Sequence, residues 1–344
     1  MRASAPDDET ELDTRLSAPR DETVAALAAC PGDLVVLGAG GKMGPTLARM
    51  AHAAAHRADG AAPRRVIAVS RFTSARARDA LQAAGVETIA CDLLDRRAVA
   101  TLPDAPNVIF MAGQKFGTRD APARTWMMNV AVPIACAERY ITSRIVAFST
   151  GNVYALTPVA AGGARETDPP APAGEYAWSC LGRERVFEYF AGLGARVAVM
   201  RLNYAIDLRY GVLTDLALRI WRGEPVPLAM GHVNVIWQGD ASRAALELLP
   251  HAATPPFVVN VTGRDTLSVR ALAEQLGARL DRAPRFAGAE APDALLSNTD
   301  RMAHTLAPTA VSLDTMLDWV ARWVRDDRPL LHKPTHFDVR DGAF

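Results

Sequence analysis

Short apolar, β-branched runs recur along the chain, separated by segments with helical spacing. The first is LVVLG (34–38). It is too short for a helix and carries no polar alternation, which suits a strand buried on both faces. Six further runs read the same way: RVIAVSR (65–71), VETIACDL (86–93), NVIFMAG (107–113), RIVAFST (144–150), RVAVMRLN (196–203) and FVVNVTG (257–263). Between them lie helical patterns: PTLARMAHAAAHRA (45–58), ARARDALQAAG (75–85), WMMNVAVPIACAERY (126–140), YAWSCLGRERVFEYFAGLG (176–194) and ASRAALELL (241–249). Gly85 and Gly194 stand where a helix C-terminus favours glycine.

Strands alternating with helices predict βαβ units and a parallel sheet. Right-handed crossovers then give an α/β fold, a Rossmann-type doubly wound sheet with helices on both faces. The alternation loosens after residue 203. We therefore expect a dinucleotide-binding domain over 33–203, rejoined by 237–263, and a smaller C-terminal substrate lobe from 204–236 and 264–344. Residues 1–32 read as an N-terminal extension, a polar arm over 1–20 and a short helix over 21–30 stopped by Pro31-Gly32. The tail PTHFDVRDGAF has no readable place.

Formal net charge is zero. A nucleic-acid partner or an electrostatic membrane partner would need a basic excess, so neither is expected. No apolar run is long enough for a bilayer span, and the acidic N-terminus is not a signal peptide. Cys30, Cys91, Cys136 and Cys180 are scattered without a CxxC pair. That fits reduced cytoplasmic thiols and no metal site. Lysine is scarce: Lys42, Lys115 and Lys333 stand against 35 arginines.

Gly38, Gly41 and Gly44 follow the first strand and precede the first long helix, with Gly40, Lys42 and Met43 between them. A Cβ would block the tight turn and the approach of backbone to a pyrophosphate. The helix N-terminus then offers free N–H groups to the phosphates. This context is what the motif requires. The second strand ends in Ser70-Arg71 with no acidic residue. An acid there would accept from a ribose 2′-hydroxyl, whereas arginine accommodates a 2′-phosphate, so NADP is expected, with NAD as the alternative. Asp92-Leu93 closes the third strand. Asp92 can hydrogen-bond the adenine edge or cap the helix of 93–102; both readings stay open.

With these parts in place the chain resembles an extended short-chain dehydrogenase/reductase of the NAD-dependent epimerase/dehydratase family. The likeness covers roughly residues 33–325. Gly38, Gly41 and Gly44 match its glycine loop, Asp92-Leu93 its adenine-side pair, and Met111-Ala112-Gly113 the turn after its fourth strand. Ser149 to Tyr154 matches its Ser-Ser/Thr-x-x-Val-Tyr segment, and Asp240 to Ala244 a later helix start. Its catalytic Tyr-x-x-x-Lys falls on Tyr176 and Cys180. The resemblance implies that Tyr176 is the acid/base, that Thr150 holds the reacting oxygen, that Asn152 and Asn203 meet substrate, and that Ala112, Gly113 and Tyr176 flank the cofactor. It also implies a homodimer packed through the helices of 124–140 and 176–194.

The sequence departs from that pattern at Cys180. A free tyrosine has a pKa near ~10 and needs a nearby cation to act as a base. A neutral thiol supplies none. Lys115, in the loop after the fourth strand, is the expected electrostatic substitute. Cys180 itself reads as a buried inert thiol rather than a reactive one. The family's pyrophosphate-binding arginine is also missing before Asp240; Arg209, Arg219 and Arg222 are candidates to compensate, and His232 and Asn234 to bind a hydroxylated substrate. The expected function is NAD(P)-dependent hydride transfer on a sugar or sugar-nucleotide-like hydroxyl or ketone, as an oxidoreductase, epimerase or dehydratase. Two alternatives stand beside it: a catalytically impaired NADP-binding sensor or scaffold, and an adenosyl-cofactor transferase on a similar sheet.

Overall fold

The computed structural model describes residues 4–59, 64–115, 117–118, 120–333 and 335–342. Its seven-stranded sheet is formed by β1 (Leu34–Leu37), β2 (Val66–Ser70), β3 (Glu87–Ala90), β4 (Asn107–Phe110), β5 (Arg144–Thr150), β6 (Arg196–Leu202) and β7 (Phe257–Val261). Each falls within one of the seven apolar runs. The order across the sheet is β7-β6-β5-β4-β1-β2-β3. Every pairing is parallel. The strand order reverses beside β1, whose two neighbours are β2 and β4. In open α/β sheets, ligands bind in the crevice at the carboxyl ends of the strands beside such a switch point.

The two faces of the sheet explain the unbroken apolar runs. Val36, Ile109, Val146, Met200 and Val259 point to one face, against α2 (Asp21–Ala28), α3 (Gly44–Asp59) and α10 (Gln238–Glu247). Val35, Leu37, Val108, Phe110, Ile145 and Val199 point to the other, against α7 (Val132–Arg139) and α8 (Gly174–Gly192). The remaining sheet helices are α4 (Ala75–Ala83) and α5 (Arg96–Ala100). The N-cap of α5 is Asp95, which accepts from the N–H groups of Arg97 and Ala98. Asp92 therefore does not cap that helix. Its carboxylate accepts instead from Leu94 N–H, and its side chain is exposed.

A second core joins α9 (Val212–Trp221), α11 (Val269–Leu280) and α13 (Leu313–Arg325) through Leu213, Leu216, Leu272, Leu276, Trp319 and Trp323. The polar arm expected over 1–20 is replaced here by structure: α1 (Glu9–Leu16) buries Leu12 and Leu16 in this same core. Asp8 caps it, accepting from Glu11 N–H. Fully burying a leucine is worth about 1.5–3 kcal/mol, so Leu12 and Leu16 are what dock this otherwise polar helix. The tail is also folded. Phe337 is buried in the second core, and the Arg340 guanidinium binds the carboxylate of Asp293 and the carbonyls of Ala229 and Asp293.

The helix of 126–140 is not continuous. It runs as α6 (Pro122–Trp126), one π-turn (Met127–Ala131) and then α7. A π-turn inserts one residue into the helical ladder and often marks a functional position. Among the described residues no helix is long and apolar enough to cross a membrane, and no cluster of His, Cys, Asp and Glu could hold a metal. All four cysteines are free and buried.

Candidate functional site

Two hollows open at the carboxyl ends of the strands. The first, about 240 Å³, is lined by Gly38, Gly40, Gly41, Ser70, Arg71, Asp92, Leu93, Ala112 and Gly113, with Phe72, Thr73 and Ser74 on its rim. The glycine loop builds its floor. Gly38 has φ +89°, and a Cβ there would lie 2.6 Å from Ala112 N. A Cβ on Gly40 would lie 2.4 Å from Ser70 Oγ. A Cβ on Gly41 would meet only Gly38 O at 3.5 Å, so it would occupy the hollow itself. That is the cradle a pyrophosphate needs. Gly44 lines neither hollow. It begins α3, where a Cβ would strike Ala39 O at 2.3 Å. Arg71 is exposed on the rim, beside the N-terminus of α4.

The second hollow, about 260 Å³, gathers Lys42, Met43, Lys115, Thr150, Asn152, Tyr176 and Asn203. Met111 and Gly113 line both hollows, so the two adjoin. Thr150 ends β5, and Tyr176 lies in the first turn of α8. The Tyr176 phenol interacts with the side chains of Thr150 and Cys180. Asn152 donates its side-chain amide (2.9 Å) and its backbone N–H (3.2 Å) to Thr150 Oγ1. Asn203 is buried and donates to Leu295 O at 3.3 Å. Lys115 Nζ lies 6.0 Å from the centre of the Tyr176 ring. Lys42 reaches into this second hollow, away from the floor of the first, and donates to Ala205 O at 3.4 Å.

Electrostatics divide these groups. Burial pushes the Tyr176 phenol well above its ordinary value, and Cys180 adds to that, while Arg183 and the Thr150 hydrogen bond oppose it. Burial likewise raises the Cys180 thiol. Lys42 and Lys115 move the other way, since burial disfavours an ammonium; each is lowered to about 8. The Tyr176 phenol thus gives up its proton reluctantly, and the two lysines lose their charge at mildly alkaline pH.

Two residues that the sequence reading did not single out hold this arrangement. Asn129 sits in the π-turn, fully buried. Its Oδ1 accepts from Gln114 N–H (2.8 Å) and Arg183 Nη2 (2.7 Å), and its Nδ2 donates to Gln114 O (3.0 Å) and Ser179 Oγ (2.9 Å). It thereby fastens the loop that carries Lys115 to the helix that carries Tyr176. Arg183, two turns beyond Tyr176, is buried and also donates to Phe148 O at 2.9 Å. Its only signal was a charge on the stripe Tyr176, Ser179, Cys180, Arg183, Phe187, which is otherwise free of charge. A Cβ on Gly113 would lie 2.4 Å from Arg183 Nη2, so that glycine is needed for close packing as well.

Other candidates lie elsewhere. Asn234 is spent on structure, donating to Asp265 O and accepting from Ser297 N–H. His232 pairs in a short strand with Ser268 and does not line the Tyr176 hollow. Arg209 is bound by Asp207, Asp13 and Glu9. It shares a separate hollow with Arg219, Arg222 and Lys333. Asp240 accepts from the N–H groups of Ala310 and Val311, a structural anchor.

No protein-family profile and no curated protein sequence matches the chain. Solved structures do. The UDP-glucose 4-epimerase of Thermotoga maritima, with UDP-glucose, aligns at TM-score 0.68 and 19% identity over 86% of this chain and 99% of that one. The UDP-Glc/GlcNAc 4-epimerase of Campylobacter jejuni aligns at 0.70 and 19%, over 86% and 100%. A dTDP-glucose 4,6-dehydratase of Streptomyces venezuelae, with NAD bound, aligns at 0.70 and 19%, over 86% and 97%. At such identities the likeness speaks for architecture. The chain has the Rossmann-type, doubly wound parallel-sheet fold of these epimerases and dehydratases.

Proposed function

We propose that this protein is a nicotinamide-dinucleotide-dependent enzyme that transfers hydride to or from a carbohydrate-like hydroxyl or ketone, as an oxidoreductase, epimerase or dehydratase. One observation carries the reading. The Tyr176 phenol interacts with Thr150 in a hollow that adjoins the glycine-floored one. When bound along these hollows, the nicotinamide supplies the hydride donor or acceptor. Gly38, Gly40 and Gly41 would cradle the pyrophosphate, Met43 and Gly113 would flank the nicotinamide half, and Asp92, Leu93 and Ala112 the adenosine half.

In this reading Tyr176 Oη gives a proton to the substrate oxygen, or takes one, and Thr150 Oγ1 fixes that oxygen within reach. Asn152 and Asn203 orient the neighbouring hydroxyls. Lys115 provides the positive field that the missing lysine at Cys180 would have supplied. Arg183 adds a second positive charge beside it. The Asn129 bonds keep the Lys115 loop and α8 in register.

The cofactor is proposed to be NADP. Ser70 and Arg71 replace the acid that would accept from a 2′-hydroxyl, and Thr73 and Ser74 add hydroxyls at the N-terminus of α4. Helix N-termini favour phosphate. Titration of bound-nucleotide fluorescence tests this. NADPH is expected to bind more tightly than NADH, and Arg71→Ala to cut NADPH affinity by about tenfold, the worth of one charge-assisted contact. Tighter NADH binding would overturn the 2′-phosphate assignment. Binding of neither nucleotide would overturn the whole reading.

A homodimer is part of the proposal. Trp178 and Tyr189 are 51% and 65% exposed on one side of α8, with Met127 50% exposed and Trp126 39% exposed beside them. Gly182 lets this side approach Val130 and Trp126 closely. Isolated exposed apolar residues are ordinary, but a contiguous patch marks an interface. Light scattering is expected to give twice the chain mass, and Trp178→Glu to give the monomer. A monomeric wild-type chain refutes this.

A further inference from the structure

Of the three lysines in the chain, two share one cleft. Lys42 Nζ lies 4.3 Å from the centre of the Tyr210 ring and donates to Ala205 O. Lys115 Nζ stands over Tyr176, 6.0 Å from the ring centre. From outside the lining, Asp207 and Asp215 favour the charged form of Lys42, and Asp215 that of Lys115. Arg183 closes the back wall. Among the described residues that line this cleft there is no Asp or Glu.

Asp207 and Asp215, which lie outside the lining, are also held by other groups. Asp207 is buried and bound by Arg209. Asp215 accepts from Thr335 N–H at 2.9 Å and from Thr335 Oγ1 at 2.5 Å. Burial raises the phenols of Tyr176, Tyr204 and Tyr210 and the thiol of Cys180, so none of these groups is an anion at neutral pH. The cleft thus gathers Lys42, Lys115 and Arg183 with no carboxylate among its described lining residues. Like charges held in a desolvated space are costly, and an incoming anion relieves that cost.

We propose that the substrate is acidic: its reacting hydroxyl or ketone sits on Tyr176 and Thr150 while an anionic group of the same molecule, a carboxylate or a phosphate monoester, is held by Lys42 and Lys115. This rests on the hydride-transfer reading of the same cleft. It narrows the substrate from carbohydrates in general to sugar acids, hydroxy or keto acids and sugar phosphates. It also gives Lys42, set in the glycine loop, a task on the substrate side rather than on the cofactor phosphates.

The scarcity of lysine makes the test clean. The nucleotide-loaded protein is treated with acetic anhydride at pH 8, and acylation of each lysine is followed by peptide mass spectrometry, with exposed Lys333 as internal control. The probes are glucuronate, galacturonate, gluconate and glucose 6-phosphate, each against a neutral counterpart, namely glucuronamide, galactose or glucose. At least one acid is expected to slow acylation of Lys42 and Lys115 by roughly tenfold or more where its neutral counterpart does not, since close charge pairs in desolvated sites are worth that much. Lys333 should be unaffected. Lys42→Met should weaken that acid's binding by a similar factor and leave nucleotide affinity within about twofold. Carboxylates and the phosphate are scored separately, which tells the two anion sources apart. Acids that protect no better than neutral sugars overturn the proposal. So does shielding of Lys42 by nucleotide alone with a matching loss of nucleotide affinity in Lys42→Met, which would make the anion the cofactor's own phosphate. Absence of nucleotide binding, read independently by fluorescence, instead sinks the hydride-transfer reading, and protection is then scored on the free chain.

Discussion

Tyr176→Phe is expected to lower turnover by about 10²–10⁴-fold while leaving nucleotide binding and folding in place, which is the range a positioned acid/base contributes. The substitution deletes one oxygen and keeps the ring, so packing against Leu181, Cys180 and Val153 persists. What is lost is the hydroxyl that interacts with Thr150. Lys115→Met is the companion test. Lys115 is charged below about pH 8 and neutral above it, because its folded value is lowered to about 8. Its support of a Tyr176 phenolate is therefore present below that pH and fades as pH rises through it. The Met variant should show lower turnover in the oxidising direction and no inflection near pH 8 in a kcat profile. Full turnover in Tyr176→Phe would refute the acid/base role. An unchanged pH profile in Lys115→Met would refute the role given to Lys115.

The sheet was legible because each strand is a short apolar run bounded by turn residues, and burial on both faces demands that pattern. The glycine loop was legible because strand, turn and helix are consecutive in the chain. The parts that escaped depend on contacts far apart in sequence. α1 reads as polar because only Leu12 and Leu16 face the core, one turn apart, and the core they enter belongs to residues beyond 200. Asn129 hides in the apolar segment WMMNVAVPIACA, where nothing local announces a π-turn. Its four partners come from Gln114, Ser179 and Arg183. Arg183 looked like one arginine among 35. Asp92 and Asp95 are both plausible caps by sequence, and only the register of α5 selects Asp95. The tail is held by Phe337 and Arg340 against the lobe, a partner no local pattern names.

Glu184→Ala is expected to destabilise the fold by about 3–5 kcal/mol, the cost of leaving a buried charge without its partner. Glu184 and Arg201 are 7% and 6% exposed. They meet as a two-pronged pair, Nε to Oε1 at 2.9 Å and Nη2 to Oε2 at 2.6 Å. Arg201 Nη1 continues to Tyr154 OH at 2.6 Å, which donates to Asn260 Oδ1 at 2.9 Å. On the other side Ser149 Oγ donates to Glu184 Oε1. The network thus ties α8 to the ends of β5, β6 and β7 directly beneath Thr150. Whole-domain stabilities are only about 5–15 kcal/mol, so the loss should be plain in urea denaturation. Glu184→Gln, which keeps the shape and one acceptor oxygen, should cost less. Because Ser149 precedes Thr150, the Ala variant should also lose turnover in excess of any unfolding, measured well below its melting temperature. A loss under about 1 kcal/mol would place the pair with solvent-screened surface bridges and end the case that it positions Thr150.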